Sequence, residues 1–247
     1  MADDPRSFWD RVARLPGLSP VVDYQPHETA WARYVTALHL RALGRLARLR
    51  TGQRVLDLGC GVGRISAWLA PQVAEVLAVD SSPAMLDEAR RRCRQQNIRF
   101  CLLSELTAGE PPLRGLDAAT AVWVLQHILE QGRLEATVDL LAAALRPGAA
   151  LYTLDRLCRD PVDHGESDYQ RIRSLQEYEA LFRRRGFEVR QQHPVSIDEQ
   201  VLGRPGLTRM VRRWGWVRPL VLRADLAWSR RQQRPFIADH LWCFERV

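Results

Sequence analysis

The residues best suited to chemistry sit in one short run, Val55-Leu56-Asp57-Leu58-Gly59-Cys60-Gly61-Val62-Gly63-Arg64, with Asp80 closing the next apolar segment. Glycines at the end of an apolar strand strip a turn of Cβ atoms, so a bulky ligand can approach the backbone closely. A helix that starts there presents unpaired N–H groups at the same place. A turn of this kind by itself serves dinucleotides equally well. Asp57 separates the readings: a carboxylate two residues before the first glycine repels a pyrophosphate and suits a ligand carrying an ammonium group. Asp80 ends the second strand, where a carboxylate can accept hydrogen bonds from both ribose hydroxyls. Together the two acids describe a nucleoside with a cationic amino-acid tail.

These residues need a scaffold, and the hydrophobic pattern supplies one. Strands are predicted over Arg54–Leu58, Glu75–Val79, Arg99–Leu103, Leu116–Trp123 and Ala149–Leu154. Helices fall between them: residues 64–70, Pro83 to about Gln96 with Ser82 as cap, and Leu134–Leu145. Such alternation argues for an α/β fold, a Rossmann-like, doubly wound and mostly parallel sheet, predicted seven-stranded, with helices on both faces. Right-handed crossovers then align the strand carboxyl ends along one edge, where ligands bind. Residues 1–50 read as an N-terminal helical cap or lid, with a short helix from Ser7 and a longer one from about Glu28. Residues 51–157 form the ligand-binding core. Residues 158–247 complete the same domain: Asp155–Asp168 as a solvated polar loop, a helix over Leu175–Arg185, a strand over Phe187–Val195 and a last, edge-like strand over Phe236–Val247. A helical insertion is expected at about 198–235.

The run Val-Leu-Asp-Leu-Gly-Cys-Gly-x-Gly, followed by Val-Asp-Ser-Ser-Pro-x-Met-Leu, resembles motifs I and II of class I methyltransferases that use S-adenosylmethionine. The resemblance covers about residues 50–155. It implies S-adenosylmethionine as cofactor, with Gly59, Cys60 and Gly61 against the methionine portion and Asp57 near its ammonium. It further implies Asp80 on the ribose, and Ser81 and Met85 beside the adenine. Such proteins often carry an Asp after strand three; here Ser104 holds that position, followed by Glu105 and Leu106, and this stretch is expected to border the adenine. Val122 and Trp123, at the end of strand four, are expected to face the donor or the acceptor. Tyr24, on the loop before the long helix, belongs to a region that in similar proteins folds over the donor.

Methyl transfer from a sulfonium is an in-line displacement that asks mainly for positioning and exclusion of water. A base is needed only where the nucleophile must lose a proton. His127, with an ordinary pKa near 6.5, is the candidate catalytic residue, its competing reading being a ring that caps or packs beside the donor. Trp31 and Trp123 are read either as pocket lining or as core.

The 247 residues suffice for one α/β domain. The net charge is +7, and all the Lys+Arg content is arginine, which excludes Schiff-base or P-loop lysine chemistry. Cys60, Cys93, Cys101, Cys158 and Cys243 form no C-x-x-C pair and read as free thiols, with no metal site expected. The start of the chain lacks an apolar run and no stretch is long enough to span a bilayer, so a cytoplasmic location is expected. In the insertion, apolar faces built from Leu207, Met210, Val211, Trp214, Val217, Leu220, Val221 and Trp228 alternate with arginines. Two readings stand for it: a cap packed on the domain, or an amphipathic surface making peripheral membrane contact through 207–234. The expected partner is a small-molecule, glycan or lipid-like acceptor methylated on oxygen or nitrogen, with no nucleic acid. An NAD-dependent oxidoreductase and a non-catalytic binder of S-adenosylmethionine are the alternatives.

Overall fold

A computed structural model of the chain describes residues 5–107, 113–159, 169–197 and 237–247. The predicted insertion at 198–235, its membrane-facing reading and the acidic stretch 160–168 lie outside the described residues.

The strands are β1 (Arg54–Leu58), β2 (Glu75–Asp80), β3 (Ile98–Leu102), β4 (Leu116–Val122), β5 (Leu145–Cys158), β6 (Arg173–Ser174), β7 (Phe187–Ile197) and β8 (Ile237–Arg246). They form one sheet in the order β3-β2-β1-β4-β5-β8-β7, with the two-residue β6 paired to β5. The sheet thus has eight strands rather than seven. Pairing is parallel from β3 to β5, and antiparallel for β8 against both β5 and β7. Strand order reverses between β1 and β4, which run side by side although β2 and β3 separate them in sequence. At such a switch point a crevice opens outside the carboxyl ends.

The helices are α1 (Pro5–Val12), α2 (Ala30–Leu46), α3 (Arg64–Leu69), α4 (Pro83–Arg92), α5 (Leu103–Thr107), α6 (Gln131–Ala144) and α7 (Leu175–Arg183). Their starts follow from side chains that satisfy orphan N–H groups. Thr29 accepts from Ala32 N ahead of α2, Ser82 accepts from Met85 N ahead of α4, and Ser174 with Glu177 makes a capping box on α7. Successive strand residues feed opposite faces of the sheet. Val55 joins Leu38, Leu43 and Leu69 under α2 and α3, whereas Leu56 joins Leu134, Leu141 and Phe182 under α6 and α7. Among the described residues no helix is long and apolar enough to cross a membrane.

Several sequence expectations shift. Helix α4 ends at Arg92, because Cys93 is already extended. The last strand is not an edge: β8 lies between β5 and β7, and its Leu241, Trp242 and Phe244 are buried. Asp155 does not open a solvated loop. Strand β5 continues through Cys158, and Asp155 is fully buried. Its Oδ1 accepts from Val124 N at 3.1 Å and Gln126 N at 3.2 Å, and its Oδ2 accepts from Tyr178 Oη at 2.7 Å. Arg173 donates to the carbonyls of Leu125 and Ile128 from below. The turn after β4 is therefore held by a buried acid and a buried base. Asp155→Ala would leave two backbone N–H groups and a phenol without acceptors. A loss of about 3 kcal/mol in urea unfolding is expected, and a loss under about 1 kcal/mol would contradict this role.

Candidate active site

The glycine turn is built as anticipated. Gly59 (φ 65°) and Gly61 (φ 53°) both occupy the left-handed region that L side chains avoid. Each also permits a close approach: a Cβ on Gly59 would strike Val124, and one on Gly61 would lie 2.6 Å from Val21 Cγ1. Val21 comes from the segment ahead of α2, so that the lid-like N-terminal part reaches the turn.

Of the two acids, Asp80 bonds to the turn itself and Asp57 to the helix that follows it. Parallel register sets Asp57 beside Thr120. Asp57 is 1% exposed; its Oδ2 accepts from Ser66 Oγ at 2.6 Å and its Oδ1 from Thr120 Oγ1 at 2.9 Å. Burial raises its pKa to about 6 despite these bonds, so it is ionised at neutral pH. Asp80, less deeply placed, accepts from Gly61 N at 2.8 Å and Ser82 N at 2.9 Å. Burial raises its pKa too.

The other expected site residues divide. Ser81 is exposed at the end of β2. Met85 is buried beneath α1, in a cluster with Val12, Ala13 and Val62. Ser104 and Glu105 are exposed in α5, and Glu105 turns back to accept from Leu102 N at 2.9 Å, while Leu106 is buried. The side chains of Cys60 and Val122 belong to the core under α2 and α3, so only their backbone borders the turn. Trp123 leaves the strand with φ 57°, a conformation strained for a bulky residue. Its N–H donates to Leu154 O at 2.6 Å and its Nε1–H to Asp239 Oδ1 at 3.1 Å. Trp31, by contrast, stacks on Tyr34 and packs against the core.

Tyr24, also in the left-handed region at φ 53°, meets Phe8, Trp9 and Tyr169 at ring-centroid distances of 5.4, 6.1 and 6.0 Å. Burial raises its phenol pKa. His127 joins this cluster edge-to-face with Trp9 at 4.9 Å. Aromatic rings from α1, the following loop, the turn after β4 and the segment before β6 thus meet over the carboxyl edge. His127 Nδ1 lies 2.7 Å from the carbonyl of Tyr169, which can only accept, so the proton sits on Nδ1. Nε2 then accepts from the Gln126 amide at 3.3 Å. Burial pulls the ring's pKa down to about 4, which makes His127 a weak base at neutral pH.

A buried polar network that the sequence reading missed lies beside Trp123. His39 of α2, 0% exposed, sits 3.3 Å from Asp239 Oδ2 through Nε2 and 3.2 Å from Arg64 Nη1 through Nδ1. Arg156 Nε is 3.8 Å from Asp239 Oδ1. The guanidinium carbons of Arg64 and Arg156 lie 6.0 and 5.8 Å from the Trp123 ring. Against the cost of burial, the hydrogen bond with His39 first, then the Arg156 charge and the Trp123 hydrogen bond, hold the Asp239 pKa down, at about 2. Two signals were available: Arg64 directly follows the third glycine, and Asp239 interrupts an apolar strand. Among the described residues no three His, Cys, Asp or Glu side chains group as metal ligands. In an NMR titration the His127 ring protons are expected to stay at neutral-form shifts from about pH 8 to about pH 5, moving only towards pH about 4. A midpoint near 6.5 would contradict the buried, Nδ1-protonated ring.

A family model described as a methyltransferase domain matches residues 55–148. The methyltransferase GfsG of Streptomyces halstedii is 27% identical over 163 residues, 62% of this chain and 59% of that protein. The ubiquinone biosynthesis O-methyltransferase of Xylella fastidiosa is 35% identical over 106 residues, 41% of each chain. The chain therefore spans about half the length of these relatives. A methyltransferase structure from Thiobacillus denitrificans, in complex with S-adenosyl-L-homocysteine, superposes with a TM-score of 0.54 at 22% identity, over 84% of this chain and 90% of that one. Residues 55–148 are thus similar to a methyltransferase domain, and the fold is that of solved S-adenosylmethionine-dependent methyltransferases.

Proposed function

We propose that this chain binds S-adenosylmethionine at the crevice between β1 and β4 and transfers its methyl group to an oxygen or nitrogen of a small-molecule, glycan or lipid-like acceptor. The observation that carries this reading is the left-handed glycine turn with Asp80 bonded to Gly61 and the buried Asp57 at the strand end before it. The residues fit the donor. A carboxylate accepts about four hydrogen bonds, and Asp80 spends two on backbone N–H groups, which leaves lone pairs for two ribose hydroxyls. Asp57 likewise retains lone pairs and a negative charge under the turn, as an ammonium partner requires. A pyrophosphate would meet that same charge unfavourably, which disfavours the oxidoreductase alternative.

When bound, the cofactor supplies a methyl group already activated on a sulfonium, and the protein's work is orientation and dryness. The turn and its two acids orient the donor. The aromatic rings of Phe8, Trp9, Tyr24 and Tyr169 cover the carboxyl edge and would exclude water from it. Ser104, Glu105 and Leu106 would border the adenine, with Ser81 and Met85 opposite. His127, so weak a base and with both ring nitrogens already bonded, would pack beside the acceptor rather than carry its proton away. The name of the Xylella relative, an O-methyltransferase, favours oxygen as the methylated atom.

Calorimetry with S-adenosylmethionine and S-adenosylhomocysteine tests the reading: saturable binding to one site is expected, and the absence of heat from both ligands would end it. Asp80→Asn, which trades an acceptor oxygen for a donor, is expected to weaken binding on the order of 10- to 100-fold. Unchanged affinity in that variant would remove Asp80 from the ribose site. Affinity is also expected to fall as pH drops through about 6, where Asp57 gains a proton and loses the charge that faces the ammonium. The slope reaches at most about tenfold per pH unit, and Asp57→Asn should flatten the profile.

A further inference from the structure

Arg156 stands where the polar network beside Trp123 meets the aromatic cover. Val122, the last residue of β4, pairs with Leu154, so Arg156 lies two residues beyond the end of β4, on the carboxyl edge. Its backbone N donates to Gln126 Oε1 at 2.7 Å, and the nitrogen of that same amide lies 3.3 Å from His127 Nε2. Antiparallel register sets Arg156 directly opposite Asp239, and its Nε lies 3.8 Å from Asp239 Oδ1. Its guanidinium carbon lies 5.8 Å from the Trp123 ring. The side chain is 22% exposed, neither sealed in the core nor loose in solvent.

The charge of this side chain is felt in the cover. Burial and the Tyr169 phenol raise the Tyr24 phenol pKa, and Arg156 opposes them. Burial lowers the pKa of the His127 ring, and Arg156 lowers it further. The Tyr24 hydroxyl has no hydrogen-bond partner among the described residues, although the backbone beneath it is held at φ 53°. Backbone strain of this kind clusters at ligand sites. Around Trp123 stand two guanidinium groups, of Arg64 and Arg156, and one carboxylate, of Asp239, while burial keeps His39 neutral. These groups together leave positive charge beside the crevice, which favours an anionic guest. A guanidinium presents five N–H donors in a fork that matches a carboxylate, enough to serve Asp239 and a guest at once. The rings of Phe8, Trp9, Tyr24 and Tyr169 suit a flat apolar body attached to that carboxylate.

We propose that the methyl acceptor is an aromatic carboxylic acid whose carboxylate is bound by Arg156, with the Tyr24 hydroxyl donating a second hydrogen bond to it. The assignment narrows the acceptor of the methyltransferase reading above and rests on that reading.

Benzoate and its neutral isostere benzamide test it, titrated into the complex with S-adenosylhomocysteine and followed by ligand-observed NMR. The wild type is expected to bind benzoate on the order of 10-fold more tightly than benzamide. Arg156→Gln should bring benzoate down to the benzamide level. Tyr24→Phe should weaken benzoate a few-fold and leave benzamide nearly unchanged, and an unchanged benzoate affinity there contradicts the second hydrogen bond. Equal affinities in the wild type, no benzoate binding at millimolar concentration, or the wild-type ratio persisting in Arg156→Gln overturns the assignment and leaves the donor reading standing. Failure of S-adenosylhomocysteine itself to bind overturns the functional reading and this inference with it. Should Arg156→Gln not melt cooperatively, Arg156→Lys, which keeps the charge opposite Asp239 and lacks the fork, is read by the same ratio. A reduced benzoate preference is expected in it, and an unchanged one overturns the assignment.

Discussion

A carboxylate buried at the end of a strand is the constraint on which this molecule is organised. Asp57 can remain there because Ser66 on α3 and Thr120 on β4 donate to its two oxygens. An uncompensated charge in that position would cost several kcal/mol. The two hydroxyls come from different elements, so satisfying the charge also fixes where α3 begins relative to β1 and β4. The path of the glycine turn follows, since it must connect β1 to an α3 already tied back to Asp57. Asp80 bonds to the turn itself, accepting from Gly61 N.

The same logic is repeated one strand further along. Asp155 is as buried as Asp57 and is likewise shifted to a pKa of about 6 by burial. Its partners are the backbone N–H groups of Val124 and Gln126 and the hydroxyl of Tyr178. That turn carries Trp123 and His127. A backbone that deviates to φ 57° at Trp123 costs of order 1–3 kcal/mol; the Leu154 carbonyl and Asp239 hold it there. Buried acids thus shape both walls of the crevice, and each has its charge met by hydrogen bonds from a neighbouring element.

The N-terminal segment closes the remaining side. Val21 rests against Gly61, Asp10 accepts from Ser82 at the start of α4, and Phe8, Trp9 and Tyr24 meet Tyr169 and His127. The N-terminal segment is joined to the core by ring contacts and a few hydrogen bonds, while the sheet beneath it is bonded throughout.

Much of this was legible in the residues themselves. The apolar runs of β1, β2 and β4 are short, bounded by turn residues and largely buried on both faces, which is why periodicity found them. Asp57, the glycines and Asp80 could be read because they lie close together in sequence and each has a local chemical reason to be there. The antiparallel insertion of β8 between β5 and β7 could not be read, since strand pairing over such distances is set by the whole sheet. Nor could the burial of Asp155, whose acid-rich surroundings look like a solvated loop until β5 is seen to run on through it. The network of His39, Arg64, Trp123, Arg156 and Asp239 joins α2, α3, the end of β4, β5 and β8. No spacing in the chain connects those positions. Sequence alone determined the glycine turn and the two acids near it, because each has a chemical reason within a few residues of its neighbours; only the tertiary fold decided the charged wall beside it, because a buried ion pair is defined by what packs around it.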